Sequence, residues 1–472
     1  MKSKWIKMAI IFAVMFGLWL TPTPKGLSAD AWHLVSLYLG LLIGLVSKPY
    51  KEPIITLIIV GFIVVFIDPE IVLSGYGSDM AWFIFLVTVV CSAFVKTGLG
   101  RRLAYNLLVR GGNTSLQLGY TLLATDLLLS PATGSNSSRT SIIYPIFRSI
   151  SEGAGSTPEN EPKKLGAFLS VLTYVISQGT SALFLTGMAT NAITVSLMKE
   201  MLKVNISWGT WFFASVVPVG IFLAAAPWIV SKIYPPELTS LEAVKESAKK
   251  GLSEMGAMTS AEKRLLFAFI FAVLGWMFGA QLGEMLGVDL GMQVIGFLFM
   301  ALVLLTDVLD WDDVMAAKGA WNIYVWYGAF YGVAAALAEA GFYTWLADKI
   351  GLVLDLSKMD GLLVAILLLF ISLAVRYFFV SNSAFVASFY PVLFSIALNT
   401  QANLTMVGLL LAFFSPLGAL LTHYGNGAGL VAFAPGFVSQ KDFWRVGTIM
   451  VGVALVIFLL IGLPYWKLIG LW

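Results

Sequence analysis

Residues 135–145 read Ser135-Asn-Ser-Ser-Arg-Thr-Ser-Ile-Ile-Tyr-Pro145, and residues 381–391 read Ser381-Asn-Ser-Ala-Phe-Val-Ala-Ser-Phe-Tyr-Pro391. Carried on to residues 150 and 396, the two stretches agree at seven of sixteen positions, at an offset of 246. Weaker echoes keep the same order: Ala81-Trp-Phe-Ile84 with Ala320-Trp-Asn-Ile323, 97–104 with 340–347, and 186–192 with 422–428, at offsets of 239, 243 and 236. Ordered self-similarity of this kind is an internal repeat. Each Ser-Asn-Ser lies between two apolar arms, residues 116–130 and 137–150 in the first copy. As helices these arms are roughly 21–22 Å long at about 1.5 Å per residue. That is short of the ~30 Å hydrocarbon core of a bilayer, so each pair is expected to enter and return. Irregular backbone at such depth survives only where protein or water satisfies it. The Pro131-Ala-Thr-Gly-Ser-Asn136 tip is therefore expected to face a cavity.

Composition places the repeat in a membrane. Of 472 residues, 59% are hydrophobic and only 12% are charged, whereas a soluble surface of this size needs about a quarter. Segments 205–231, 265–283, 319–338 and 446–466 hold no Asp, Glu, Lys or Arg, and each is near the roughly 20 residues a transmembrane helix requires. Alternating short strands are lacking, which argues against a β-barrel. The expected fold is an all-α polytopic membrane protein with about eleven transmembrane helices and two re-entrant hairpins in an inverted repeat. The expected crossings lie near 6–21, 32–47, 53–67, 80–96, 165–200 (broken), 206–231, 265–283, 290–306, 320–339, 404–435 (broken) and 444–466. With the N-terminus in the cytoplasm and the C-terminus outside, Lys and Arg divide 21 to 6 in favour of the cytoplasmic loops, as the positive-inside rule requires. The acidic loop 307–318 is the weak point of this threading. The first helix reads as retained, since no small-residue cleavage site ends it. Residues 237–250 carry Leu238, Leu241, Val244 and Ala248 at helical spacing, consistent with an interfacial amphipathic helix or a solvated linker helix. A single cysteine, Cys91, excludes an intrachain disulfide. Two histidines make a His-rich metal centre a poor reading, and the net charge of +3 gives no reason to expect nucleic acid.

The chemistry gathers at the tips and breaks. Ser and Asn are favoured helix N-caps. A helix N-terminus offers free N–H groups and partial positive charge to an anion. Two such tips entering from opposite faces make two anion subsites, matching a small molecule with a carboxylate at each end; the plainer reading is that Ser-Asn only caps a buried helix. Residues 187–191 and 423–429 interrupt two spans with glycine and asparagine, exposing carbonyls that suit a cation or serving helix packing alone. Arg139 and Arg376 are the cations inside apolar stretches and are charge-compensating candidates. For Arg139 an ion pair with Asp126 across the hairpin is an equal alternative. His423 is able to titrate, hydrogen-bond substrate or simply pack.

At these residues the chain resembles the divalent anion/sodium symporter family, and within it the 2-oxoglutarate/malate translocators of bacteria and plastids. The resemblance runs over about residues 30–472. It rests on the paired Ser-Asn-Ser motifs, each followed by Tyr-Pro, and on Thr422-His-Tyr-Gly-Asn-Gly-Ala428 followed by Gly436-Phe-Val-Ser439. The family pattern at both tips is Ser-Asn-Thr; here a serine keeps the third hydroxyl. The resemblance implies a dimer in the plasma membrane, a fixed scaffold (1–112 and 263–357), a cytoplasmic amphipathic linker (233–262) and an elevator-like transport domain (113–232 and 358–472). It implies that C4–C5 dicarboxylates such as 2-oxoglutarate, malate and succinate bind between Ser135, Asn136, Ser137 and Ser381, Asn382, Ser383. Thr186, Asn191, Thr422, His423 and Asn426 complete the candidate set. Sodium, where used, would sit near Ser135, Asn136, Gly187, Asn382 and Gly425, and no cofactor is expected. Arg139 stands where sodium-coupled relatives carry a small residue. A fixed cation there repels sodium, which makes an exchanger the expected function and a sodium-coupled dicarboxylate or citrate symporter the alternative. An inverted-repeat ion antiporter or arsenite-type permease would want buried acids, of which only Asp126 is clear. No Gly-x-Ser-x-Gly is present, so no enzyme is expected.

Overall fold

The computed structural model describes residues 2–111, 114–237, 242–352, 356 and 358–472. Among them every regular element is helical. Seven helices are long and apolar enough to cross a membrane: Ala29–Ser47, Asp79–Thr97, Trp208–Ile233, Ser260–Leu286, Gly361–Phe378, Leu404–Leu421 and Gln440–Leu468. Glu52–Phe66, Met292–Leu305 and Asn382–Leu398 are shorter apolar helices among the described residues.

Both repeat copies build the same local structure. The first has a leading arm, Ser115–Leu129, a 3₁₀ turn, Ser130–Ala132, and a trailing arm, Asn136–Gly153. The second has Gly361–Val375, Arg376–Phe378 and Asn382–Leu398. Ser135 and Ser381 are extended N-caps, and each side chain accepts the backbone N–H three residues on, the arrangement that stops the preceding turn and starts a new helix. Pro145 and Pro391 fall at the same place inside the trailing arms. With its 3₁₀ turn, the second leading arm reaches the length of a full crossing, 18 residues, where a shorter arm was expected.

Both expected breaks are present. Helix Gly166–Leu183 stops at extended Phe184; a 3₁₀ turn, Leu185–Gly187, and extended Met188 precede Ala189–Leu197. Helix Leu404–Gly418 runs into the turn Ala419–Leu421, and extended Thr422 and Asn426 precede Gly427–Phe433.

The chain forms two compact units. The first comprises Met1–Leu86, Ala192–Ile206 and Ala317–Leu411; the second comprises Val87–Asn191, Ser207–Ala316 and Ala412–Trp472. In the first unit, Gly75 lies so close to helix Lys318–Glu339 that an added Cβ would stand 1.9 Å from the Gly328 carbonyl. There the Tyr76 hydroxyl donates to the Val325 carbonyl at 2.7 Å. The second tip, Ser381 to Ser383, belongs to this unit.

The second unit holds the first hairpin and both breaks. Its linker helix, Glu242–Glu254, packs on Leu99–Arg110, with Ala248 buried and Gly251 against the Tyr105 ring. Leu238 and Leu241, expected on the linker's apolar face, lie outside the described residues. Arg102 closes the linker's C-terminal end. It donates to the carbonyls of Met255, Gly256 and Ala257 and pairs with Glu262 at 2.6 Å, satisfying carbonyls that a helix end leaves open. The acidic loop has a local answer in Lys96, which reaches Asp310 and Asp313. The backbone N–H of Asp313 and the Lys96 ammonium hold the Asp310 carboxyl below its ordinary range.

Gly447 meets the second break, where an added Cβ would stand 1.9 Å from the Leu420 carbonyl. Because that neighbour is backbone, it cannot yield as a side chain would. Gly447→Ala is expected to cost about 1–3 kcal/mol by overpacking. A thermal unfolding scan in detergent reads this as a lowered melting temperature; an unchanged curve would contradict so tight an approach.

Candidate functional site

In the second unit the first tip, the first break and the second break come together. The leading arm is fixed at its start by a capping box, in which Thr114 and Gln117 exchange hydrogen bonds. At the tip, Ser135 Oγ accepts from the Ser138 N–H at 3.2 Å and from the Ser138 hydroxyl at 3.0 Å. Asn136 is 3% exposed. Its Oδ1 receives the Ser137 hydroxyl at 3.4 Å, while its Nδ2 is buried and meets no acceptor among the described residues. Ser137 faces Gly427, where an added Cβ would stand 2.4 Å from Ser137 Oγ.

Arg139 is fully buried and pairs with Asp126, its Nε 3.1 Å from both carboxylate oxygens. The rest of its guanidinium is also used. One nitrogen donates to Thr133 Oγ1 at 3.0 Å and to the Gly187 carbonyl at 3.2 Å; the other meets the Ser177 carbonyl, Thr180 Oγ1 and Ser181 Oγ within 3.3 Å. Thr180 also donates to Asp126. Of the two roles open to Arg139, the structure displays the ion pair. It also places the cation against the carbonyl and hydroxyls of the first break.

The flanking candidates divide. Thr186 Oγ1 accepts from the Trp208 indole at 3.2 Å. Asn191 donates to the carbonyls of Ser181 and Phe184, leaving its Oδ1 buried with no donor among the described residues. Thr422 Oγ1 is likewise buried and unanswered. His423 Nδ1 accepts from the Trp444 indole at 2.9 Å, so the neutral ring carries its proton on Nε2. The Phe433 ring lies tilted against it, with centroids 4.4 Å apart. Gly425 leaves no room for a side chain, with the Ala419 carbonyl 2.6 Å from a built Cβ. Asn426 is bound within the protein, its Oδ1 accepting from the Gly429 N–H at 3.2 Å and its Nδ2 donating to Gln178 at 2.7 Å.

The first unit carries the second tip by itself. Ser381 Oγ accepts from the Ala384 N–H at 3.4 Å, Asn382 is buried and Ser383 half-buried. Arg376 is 1% exposed; it donates to the Phe379 carbonyl at 3.0 Å and lies 5.0 Å over the Phe385 ring. Each tip thus offers a serine-capped helix N-terminus and a buried asparagine. A helix N-terminus carries partial positive charge, and at the second tip the Arg376 guanidinium lies near it.

Sequence reasoning missed Tyr174, Gln178, Trp208 and Trp444, which hold the breaks. A glutamine midway along a charge-free span was the available signal for one of them.

The sequence model of the sodium:sulfate symporter transmembrane region matches residues 2–472. Inner membrane protein YbhI of Escherichia coli K12 is 37% identical, the match covering 100% of this chain and 99% of that protein. The putative malate transporter YflS of Bacillus subtilis is 33% identical over 99% and 97%. The L-tartrate/succinate antiporter of E. coli K12 is 30% identical over 98% of each. Among solved structures, Neisseria gonorrhoeae MtrF, titled as one of a class of antimetabolite efflux pumps, superposes with a TM-score of 0.54 at 14% identity, over 98% of this chain and 94% of its own. That likeness is one of fold.

Proposed function

The chain belongs to the divalent anion/sodium symporter family, the family of the sodium:sulfate symporter region, and on that premise we propose that this membrane transporter carries C4–C5 dicarboxylates by exchange. The observation that carries the reading is the buried Asn136 amide nitrogen, without an acceptor among the described residues, at the N-terminus of an 18-residue helix. A buried donor without a partner is costly, and a carboxylate oxygen answers it. The substrates for which the relatives are named, malate, tartrate and succinate, agree in bearing two carboxylates. By the sequence repeat, Ser381, Asn382 and Ser383 are the counterpart of this tip, with Arg376 near them in their own unit.

Exchange follows from the same donor. The empty carrier keeps it buried and unsatisfied, while the loaded carrier does not, so reorientation is easier with substrate aboard. Arg139 supports independence from sodium by a route other than substrate neutralisation. Its guanidinium already donates to the Gly187 carbonyl and to the Thr180 and Ser181 hydroxyls, the oxygens a sodium ion at the first break requires. An elevator movement of 113–232 and 358–472 against a dimeric scaffold of 1–112 and 263–357, with a cytoplasmic N-terminus, completes the proposal. The 21 to 6 division of basic residues supports that orientation.

Counterflow in proteoliposomes tests the proposal with malate, succinate, L-tartrate, 2-oxoglutarate and citrate. Saturable counterflow of equal rate in sodium, potassium or choline is expected. Net uptake that needs a sodium gradient would replace exchange by symport. No flux of any dicarboxylate would end the reading altogether.

A further inference from the structure

Helix Gly166–Leu183 is buried along its whole length, yet it carries Ser170, Thr173, Ser177, Gln178, Thr180 and Ser181. Polar groups at such depth persist when each has a partner, and the partners sort by face. Ser177, Thr180 and Ser181 receive Arg139 from the first tip. Tyr174 and Gln178, four residues apart and so on one face, both reach the second break. The Tyr174 hydroxyl lies 2.6 Å from the Ala419 carbonyl and 3.1 Å from that of Thr422. Gln178, fully buried, exchanges amide hydrogen bonds with Asn426, at 2.7 Å in one direction and 3.5 Å in the other. Next in the chain, Gly427 touches Ser137. The contacts therefore run from Gln178 through Asn426 and Gly427 to the first tip.

We propose that Gln178 and Tyr174 are positioning residues that hold the second break against the first tip and so fix the geometry in which Asn136 and Ser137 meet a carboxylate. The inference rests on the dicarboxylate reading for its functional consequence, but not for its geometry. Neither side chain touches substrate; both act through the backbone of 419–427.

The test uses the full-length protein in proteoliposomes with succinate. Gln178→Leu and Asn426→Leu are each expected to raise the KM about tenfold while the maximal rate stays within about threefold, and the double variant is no worse than the worse single, as for two halves of one contact. An unchanged KM in Gln178→Leu, or a roughly hundredfold, additive rise in the double variant, would overturn the proposal. Should the leucine variants fail to fold, Tyr174→Phe decides. It keeps the ring stacked on Phe443 at 5.4 Å and removes only the hydroxyl, so a KM raised about threefold or more supports the proposal and an unchanged KM refutes it. A last arm needs no transport. On a Cys91→Ser background, Ser137→Cys with Gly427→Cys is oxidised and disulfide formation is timed. Adding Gln178→Leu is expected to slow closure about tenfold or more; equal rates would refute positioning. A protein that carries no dicarboxylate would refute only the functional reading, because the disulfide arm would still report on Gln178.

Discussion

Asn136→Ala is expected to lower dicarboxylate counterflow at least about tenfold and up to about a hundredfold in kcat/KM, without lowering the melting temperature. A hydrogen bond to a charged group contributes about 1.5–3 kcal/mol, and each 1.4 kcal/mol is a factor of ten. The unusual half of this expectation concerns stability. Deleting a buried asparagine normally weakens a protein because its partner is stranded. Here the Nδ2 group has no acceptor among the described residues, so alanine removes an unpaid desolvation cost and gives up only the 3.4 Å contact from Ser137. Transport falls while the fold holds or gains. Counterflow and scanning fluorimetry on one preparation read both quantities. Full transport by Asn136→Ala and by its repeat counterpart Asn382→Ala would show that the tips are not the substrate site.

Arg139→Leu is expected to reverse that pattern, with large loss of folded protein. The guanidinium is fully buried and ties Asp126, Thr133, Ser177, Thr180, Ser181 and Gly187 together. Removing it leaves the Asp126 carboxyl 2% exposed and without its ion-pair partner. Breaking a buried pair from one side costs about 3–5 kcal/mol, whereas replacing both partners by apolar groups is often close to neutral. Arg139→Leu/Asp126→Leu should therefore recover much of the monodisperse yield that either single variant loses, as measured by size-exclusion chromatography in detergent. A double variant as poor as the worse single would mean that the hydroxyl and carbonyl contacts, not the ion pair, carry the stability.

The elements that composition and capping determine were legible in the sequence. Three of the four long charge-free runs became spanning helices, the fourth lying in helix Lys318–Glu339, and Ser135 and Ser381 became the N-caps their type and position implied. The glycines at 187 and 425 marked real breaks. What stayed hidden depends on which distant side chain arrives. Gln178 meets Asn426 across 248 residues, and nothing local to either announces the other. Asn426, a substrate-site candidate by its place in the break, has its amide bonded to Gln178 and to the Gly429 N–H in the structure. Thr186 likewise has a partner the sequence does not announce, its hydroxyl oxygen accepting from the Trp208 indole. Arg139 was legible only as a choice between two roles, of which the structure displays the pair with Asp126.

The post-like helix Gly166–Leu183 has a consequence for how this protein tolerates change. An ordinary spanning helix has a lipid side where substitutions drift freely, so its record of accepted mutations rises and falls every three to four residues. This one has no idle side. A saturation library across these eighteen positions should show an unbroken block of rejection with no helical rhythm, flanked by neighbours such as Trp208–Ile233 in which the rhythm returns.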